Sequence, residues 1–230
     1  MNYSETVRSD AYMESRASFI MKTYAHLFGA ILLFLVIESF LFISGMAAPI
    51  AYAMLSVNWL IPLGLFMVAS WIGSRFANNT DSIPAQYMGL FLFVIAESII
   101  FVPLLFMAQV IVPGVIGRAA LVTLLGTAGL TMIAFYTRKD FSFLGSLLGW
   151  GFMCAILLIV ASSIFGFNMG TWFAVAMIAL AGCGILYDTS NVIHHFPENR
   201  YVGASLQLFA SVALMFWYVL QVMMSLSGRD

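Results

Sequence analysis

Charged residues are scarce in this sequence, and their scarcity excludes a soluble protein. Only 8% of the 230 residues are Asp, Glu, Lys or Arg, whereas 63% are hydrophobic. Ordinary soluble domains carry about 25% charged residues, and a soluble core cannot absorb so much apolar surface. Lipid offers no partner to backbone N–H and C=O groups, so a chain crosses it as helices or as a closed barrel. The apolar runs here are long and do not alternate, which predicts helices.

Other absences remove further classes of function. No basic run is present and the net charge is −1, so we expect no nucleic-acid partner. The two cysteines, Cys154 and Cys183, fall in apolar stretches, where we expect them to pack and not to form a disulfide or a metal pair. Zinc patterns, phosphate-binding glycine loops and nucleophile elbows are missing. We therefore expect no organic cofactor, and Ca²⁺ is the one candidate metal ion.

Seven apolar stretches are long enough to cross a bilayer, since a crossing helix needs about 20 residues. The predicted spans are residues 25–45, 54–76, 86–108, 117–137, 143–165, 170–192 and 203–225. Residues 19–230 are thus expected to form one all-α integral membrane domain, a seven-helix bundle in contact with the lipid bilayer. A short polar tail at residues 1–18 precedes it.

The basic residues favour one orientation, because Lys and Arg accumulate on the cytoplasmic side of membrane proteins. With a cytoplasmic N-terminus, seven basic residues lie inside and two outside. The inner residues are Arg8, Arg16, Lys22, Arg75, Arg138, Lys139 and Arg200, and the outer residues are Arg118 and Arg229. Seven helices then place the C-terminus outside.

Three acids fall inside the predicted spans: Glu38, Glu97 and Asp188. A carboxylate in lipid costs at least a few kcal/mol, so each acid needs a partner, water or a proton. Counted from the predicted span edges, both glutamates lie about 17–20 Å from the cytoplasmic edge, and Asp188 about 6 Å from it. No Lys or Arg shares the level of the glutamates, so we expect protons to neutralise them. They are either proton sites or structural hydrogen-bonding groups.

The histidines lie at predicted cytoplasmic helix ends. His26, His194 and His195 are either interfacial residues or sensors that titrate near neutral pH. We do not expect an enzyme, because no nucleophile has a base beside it and no two histidines share a level with an acid inside the membrane.

Two motifs resemble a known family. Residues 137–145 read Thr-Arg-Lys-Asp-Phe-Ser-Phe-Leu-Gly, and residues 184–195 read Gly-Ile-Leu-Tyr-Asp-Thr-Ser-Asn-Val-Ile-His-His. Together they resemble the Bax inhibitor-1 family, and the second motif looks most like its bacterial YccA-type branch. The resemblance covers essentially the whole chain. It implies a multi-pass protein of a bacterial inner membrane.

The resemblance also implies roles for two residues. In this family the Asp of the Tyr-Asp-Thr motif, here Asp188, usually faces a second Asp on the last helix, and the pair is a pH-responsive latch on a Ca²⁺ leak. In this sequence Ser211 stands where that partner is expected. A carboxylate facing a hydroxyl lacks the coupled titration of a carboxylate pair. Ser211 is predicted to be close enough in depth to hydrogen-bond Asp188.

Two functions remain as competing hypotheses. The first is a pH-sensitive leak for Ca²⁺, another cation or H⁺, with Asp188 near the inner gate and Glu38 and Glu97 deeper in the pathway. Asp188 and Glu97 are candidate Ca²⁺ ligands, because this cation prefers oxygen. The second is a regulatory protein that binds the membrane protease FtsH, as the YccA-type branch implies, with residues 1–18 as a segment that such a protease can grip.

Overall fold

A computed structural model describes the backbone of residues 3–79 and 82–227 and the side chains of residues 13–79 and 82–227. The predicted outer C-terminus, with Arg229 and Asp230, lies outside the described residues. So does the side chain of Arg8.

The described part of the chain is helical and contains eight α-helices and one 3-10 helix at Glu198–Arg200. The α-helices are α1 (Tyr3–Ile43), α2 (Ala47–Leu55), α3 (Leu60–Ala77), α4 (Ile83–Ile111), α5 (Val115–Thr137), α6 (Leu144–Phe165), α7 (Gly170–His194) and α8 (Tyr201–Ser227). Among these described helices, seven are long and apolar enough to cross a membrane, and only α2 is too short. The predicted all-α, seven-span membrane fold is confirmed.

The first two predicted spans differ from the structure. Helix α1 begins at Tyr3, so the described part of the polar tail is a helical extension of the first span and not a separate segment. The predicted start of the second span at residue 54 is wrong, because α2 occupies residues 47–55 and the crossing helix begins at Leu60. The Asn58 side chain accepts a hydrogen bond from the Leu60 N–H at 2.9 Å. This bond satisfies a backbone group that a helix start leaves free.

Helices α4 and α8 form the centre of the bundle. Each contains more buried residues than any other helix, and α1, α3 and α5 pack against both of them. The Phe101 ring lies between them and contacts the rings of Phe34, Phe216 and Trp217, with centroid distances of 5.2, 5.7 and 4.9 Å. Helix α7 packs closely on α8, and α6 packs on α7 at the edge of the bundle.

The outward-facing surface of the bundle is apolar. Large exposed side chains include Leu65, Trp71, Leu125, Met132, Trp150 and Leu157. A soluble protein rarely exposes so much contiguous apolar area. Lipid is the solvent that suits this surface.

Glycines bring α3 and α4 into backbone contact. A Cβ at Gly89 would lie 2.5 Å from the Gly73 carbonyl oxygen and would also collide with the Ala77 nitrogen. Helices in lipid associate through such small residues, because close backbone approach increases their van der Waals contact.

Candidate functional site

One end of the bundle, called here the basic end, holds the N-terminal part of α1 and the C-terminal ends of α3, α5 and α7. Its basic residues are Arg16, Lys22, Arg75, Arg138, Lys139 and Arg200. The sequence predicts that these residues lie on one side of the membrane. In the described part of the chain they do lie at one end of the bundle. Arg118, near the start of α5, lies at the opposite end.

The guanidinium of Arg16 caps the C-terminus of α7. It donates to the carbonyl oxygen of Ile193 at 2.9 Å and to that of Phe196 at 2.5 Å. Carbonyls at a helix C-terminus have no intrahelical partner and carry partial negative charge, so a cation there is favourable. This cap joins α1 to α7 at the basic end, next to the candidate gate.

The turn between α5 and α6 is also attached to α7. The Phe141 N–H donates to the Ser190 hydroxyl at 2.9 Å, and His195 Nε2 lies 3.0 Å from Asp140 Oδ2. The backbone N–H of Ser142 lowers the pKa of the Asp140 carboxyl, and His195 contributes in the same direction. His195, one of the predicted pH sensors, thus has an acidic partner. The ring of His194 lies 6.1 Å from the His195 ring.

Asp188 and Ser211 are in direct contact. The Ser211 hydroxyl donates to Asp188 Oδ2 at 2.6 Å, which confirms the hydrogen bond predicted between them. Asp188 is 7% exposed and lies six residues before the end of α7, about 9 Å from it. Gly184 leaves room for the contact, since a Cβ there would lie 2.9 Å from Ser211 Oγ. The contact therefore depends on the close packing of α7 and α8.

Ser211 also lines a cavity with Glu97. This Glu97 cavity has a volume of about 380 Å³ and lies between α3, α4, α6 and α8. Its polar lining residues include Ser70 and Tyr218, and the Ser70 hydroxyl has no hydrogen-bond partner. Glu97 is at the midpoint of α4, 14 residues from either end. The Ser211 hydroxyl thus contacts Asp188, and Ser211 also lines the Glu97 cavity.

Glu38 lies in a different cavity. The Glu38 cavity, of about 340 Å³, lies between α1, α4, α5 and α8, and Phe101 lines both cavities and stands between them. The Phe34 ring contacts Phe101 of α4 and Phe209 of α8, and Phe209 also contacts Phe93, four residues before Glu97. The two glutamates therefore line separate cavities, and the expectation that they share one level stays a prediction.

The fit of Ca²⁺ to the candidate ligands can be tested from the side chains present. Ca²⁺ takes 6–8 oxygen ligands, usually including several carboxylates. Within residues 13–79 and 82–227, no three His, Cys, Asp or Glu side chains come together. Asp188 has a hydroxyl as its side-chain partner, and Glu97 lines a largely apolar cavity. This donor set does not fit a resident Ca²⁺ ion.

The structure adds polar groups that sequence reasoning did not select. Thr123 is 2% exposed, lines the Glu38 cavity and has no hydrogen-bond partner for its hydroxyl. It belongs to a threonine series at every fourth residue of α5, a pattern that more often marks helix packing. Ser70 and the Arg16 cap carried no signal in the sequence, because their roles depend on distant parts of the chain.

Comparisons with known proteins agree with this architecture. A family model described as "Inhibitor of apoptosis-promoting Bax1" matches residues 16–228. An uncharacterized protein of Campylobacter jejuni is 26% identical over 96% of each chain. Bax inhibitor 1 of Schizosaccharomyces pombe is 31% identical over 65% of this chain and 56% of its own.

A further relative is the Golgi anti-apoptotic protein of vaccinia virus, 28% identical over 47% of this chain and 46% of its own. This chain thus spans about half the length of the yeast and viral relatives. The family match covers nearly all of the described helices, including both cavities and the contact between Asp188 and Ser211. The chain belongs to the Bax inhibitor family, whose description is inhibitor of apoptosis-promoting Bax1.

Proposed function

We propose that this membrane protein is a pH-sensitive proton leak, gated at the basic end by Asp188. The observation that carries the proposal is the hydrogen bond of 2.6 Å between Ser211 and Asp188, together with the position of Ser211 on the Glu97 cavity. A buried carboxyl can exchange a proton without the full coordination shell that a metal ion needs. The proton is therefore the transported species, and Ca²⁺ is the less suitable cargo.

The pathway runs from the basic end past Asp188 and Ser211 to Glu97. Asp188 is the shallow carboxyl, and Glu97 is the central one. In the closed state the Ser211 hydroxyl holds the Asp188 carboxylate against α8, away from the cavity. Acid on the side of Asp188 raises the proton occupancy of this carboxyl, so the flux increases as the pH falls there. Glu38 is not on this pathway, because Phe101 separates its cavity from that of Glu97.

The orientation and location belong to the same proposal. The described basic end carries the positive charge that favours the cytoplasmic side. We place this end in the cytoplasm and the protein in a bacterial inner membrane, as the relative from Campylobacter jejuni, which matches along almost its whole length, supports. Asp188 then responds to cytoplasmic pH.

Proton flux in proteoliposomes tests the gate. Purified wild type, Asp188→Asn and Ser211→Ala are reconstituted with a pH-reporting dye inside, and a pH step is applied outside. Asp188→Asn is expected to lower the flux at least tenfold, because the amide cannot carry a proton. Ser211→Ala is expected to raise it, because the carboxylate is released. Equal flux in all three proteins, at acid and neutral pH, would eliminate Asp188 as the gate.

Glu38→Gln is the matched control, since it removes a second buried carboxyl of the same bundle. Its flux should stay within twofold of wild type. A loss as large as that of Asp188→Asn would show that the two cavities belong to one pathway, against the proposal. A parallel Ca²⁺ gradient with a Ca²⁺ dye decides the cargo, because Ca²⁺ flux equal to H⁺ flux would contradict a proton leak.

A second candidate function, regulation of the protease FtsH, is favoured by the helical extension of α1. This helix is 41 residues long, its first 18 positions are mostly polar, and Arg16 fixes it to α7. Residues before Met13 therefore extend past the anchor as a segment that a partner can grip. Deletion of residues 2–12 keeps Arg16 and should lengthen the half-life of the protein in cells that contain active protease. An unchanged half-life would contradict this function.

A further inference from the structure

The Glu38 cavity contains polar groups that the protein itself leaves without partners. Glu38 is 6% exposed, and neither of its carboxylate oxygens has a hydrogen-bond partner. Thr123, on the same cavity, is 2% exposed and its hydroxyl is also unpartnered. Buried polar groups are nearly always hydrogen-bonded, so each exception calls for an explanation. Two such exceptions on one cavity point to a ligand that supplies the missing bonds.

The lining of this cavity is largely apolar, and its few polar residues lie in the half of the bundle opposite the basic end. Glu38 is five residues, about 7–8 Å, before the end of α1, and Gln109 is two residues before the end of α4; Phe42 and Ile116 also line this half. The deeper part is lined by apolar residues such as Ile31 and Phe209. A ligand that fits has a polar head near the membrane surface and an apolar body that points inward.

The cavity is reached from the lipid side. Leu35 of α1 and Leu124 of α5 both line it, and both are about half exposed on the outer surface of the bundle. Helices α1 and α5 therefore leave an opening between them that faces hydrocarbon. A molecule dissolved in the bilayer can enter there without crossing water.

The charge of the head group follows from the chemistry of Glu38. No Lys, Arg or His forms an ion pair with Glu38 within the described residues, so a neutral amine that enters from the lipid can take the proton expected on its carboxyl. The carboxylate that remains only accepts hydrogen bonds. An alkylammonium group offers three donors and a positive charge, enough for both carboxylate oxygens and the Thr123 hydroxyl. Charge-assisted bonds of this kind are stronger than neutral ones, the more so away from water.

We propose that the Glu38 cavity is a binding site for a membrane-dissolved amine with a single apolar chain, whose ammonium group pairs with Glu38 and Thr123. The site is separate from the pathway of Asp188 and Glu97, so it can be correct whether or not the protein conducts protons. Its volume of about 340 Å³ falls within the 300–1,000 Å³ that is typical of small-molecule sites.

Photo-crosslinking tests the site. The full-length protein in phosphatidylcholine nanodiscs is labelled with a diazirine analogue of n-decylamine, and the labelled peptides are identified by mass spectrometry. Saturable labelling is expected on α1 and α5, with displacement by n-decylamine but not by n-decanol. Glu38→Gln should lower this displaceable labelling about tenfold to a hundredfold, the loss expected for charged hydrogen bonds. Glu97→Gln, a carboxyl of the other cavity, should leave it within twofold.

Ala120→Phe is an independent variant, because it fills the cavity without changing its charge. It is expected to abolish the displaceable labelling. Equal labelling of wild type and Glu38→Gln would overturn the proposal, as would unchanged labelling of Ala120→Phe. Displacement by n-decanol as effective as that by n-decylamine would also overturn it, since the cavity would then accept any apolar chain.

Discussion

The Arg16 cap on α7 allows a quantitative prediction about stability. Arg16 donates hydrogen bonds to the carbonyl oxygens of Ile193 and Phe196, across 177 and 180 positions of sequence. Replacement by Gln removes the charge and the fork of donors while it keeps a polar side chain of moderate length. The carbonyls at the end of α7 then lose their partner.

The expected loss can be estimated from the contacts. A hydrogen bond from a charged group contributes about 1.5–3 kcal/mol, and a cation at a helix C-terminus about 0.3–1 kcal/mol. Two such bonds and the contribution of the helix end total about 3–7 kcal/mol. Because Arg16 is only partly buried, we expect the lower end of this range, about 3–4 kcal/mol, for Arg16→Gln. In a protein of this size each kcal/mol shifts Tm by about 2–4 °C, so the expected decrease is about 6–16 °C.

Thermal unfolding in detergent measures the effect. Cys154 and Cys183 are free thiols, and a thiol-reactive fluorescent dye reports their exposure as the bundle opens. Arg75→Gln is the control, because Arg75 is an exposed cation of the same end and lies 5.4 Å from the Trp71 ring. Such a surface contact contributes only about 0.5–1 kcal/mol.

Arg16→Lys should fall between wild type and Arg16→Gln, since a single ammonium keeps the charge but lacks the planar fork. A decrease in Tm for Arg16→Gln no larger than that for Arg75→Gln would refute the reasoning. It would mean that water satisfies the end of α7 as well as Arg16 does.

Three further predictions concern close contacts in the bundle. Gly184→Ala places a methyl group 2.9 Å from Ser211 Oγ, so the hydroxyl should turn away and proton flux should rise as it does for Ser211→Ala; wild-type flux would contradict this. Gly89→Ala collides with backbone atoms of α3 and should prevent a folded, monodisperse protein, as size-exclusion chromatography will show. Hydrogen bonds lower the pKa of Asp140, so its ionised carboxylate stabilises the fold at pH values above 3.8, the ordinary pKa of this carboxyl. This stabilisation is lost as the pH falls below 3.8 and the carboxylate takes up a proton. The Tm difference between wild type and Asp140→Asn should therefore be present at pH 6 and absent near pH 2; a difference that persists at pH 2 would refute it.

The number of membrane spans could be predicted from the sequence because it depends on a local property. Each crossing helix is an apolar run of sufficient length, and five of the seven predicted spans agree with the structure to within three residues at both ends. Helix α2 was missed because nine apolar residues look like part of a longer run. At the interruption, Asn58 accepts hydrogen bonds from Leu60, Ile61 and Ser163, and apolar run length does not reveal these bonds.

The depths of the acids could be predicted only in part. Asp188 was placed correctly near the basic end, because α7 ends where its apolar run ends. For Glu38 and Glu97 the sequence predicts a shared level but not the separate cavities that their side chains line. That separation depends on the packing of Phe34, Phe101 and Phe209, which are far apart in the chain.

The contact of Asp188 with Ser211 was predictable from resemblance and depth, whereas the cavities beside them were not. A cavity is what remains when many side chains have packed, so it depends on the shape of every helix around it. The separation of Glu38 from Glu97 by Phe101 is of this kind. It changes the proposed pathway, which then includes Asp188 and Glu97 but not Glu38.

Proton flux through four reconstituted proteins tests most directly the claim that Asp188 and Glu97 act in series. These are wild type, Asp188→Asn, Glu97→Gln and the double variant, compared under one imposed pH gradient. Each single variant is expected to lower the flux at least tenfold, and the double variant should be no slower than the slower single one, because blocking either carboxyl already closes the pathway. Losses that multiply in the double variant, or a wild-type flux in either single variant, would contradict the account.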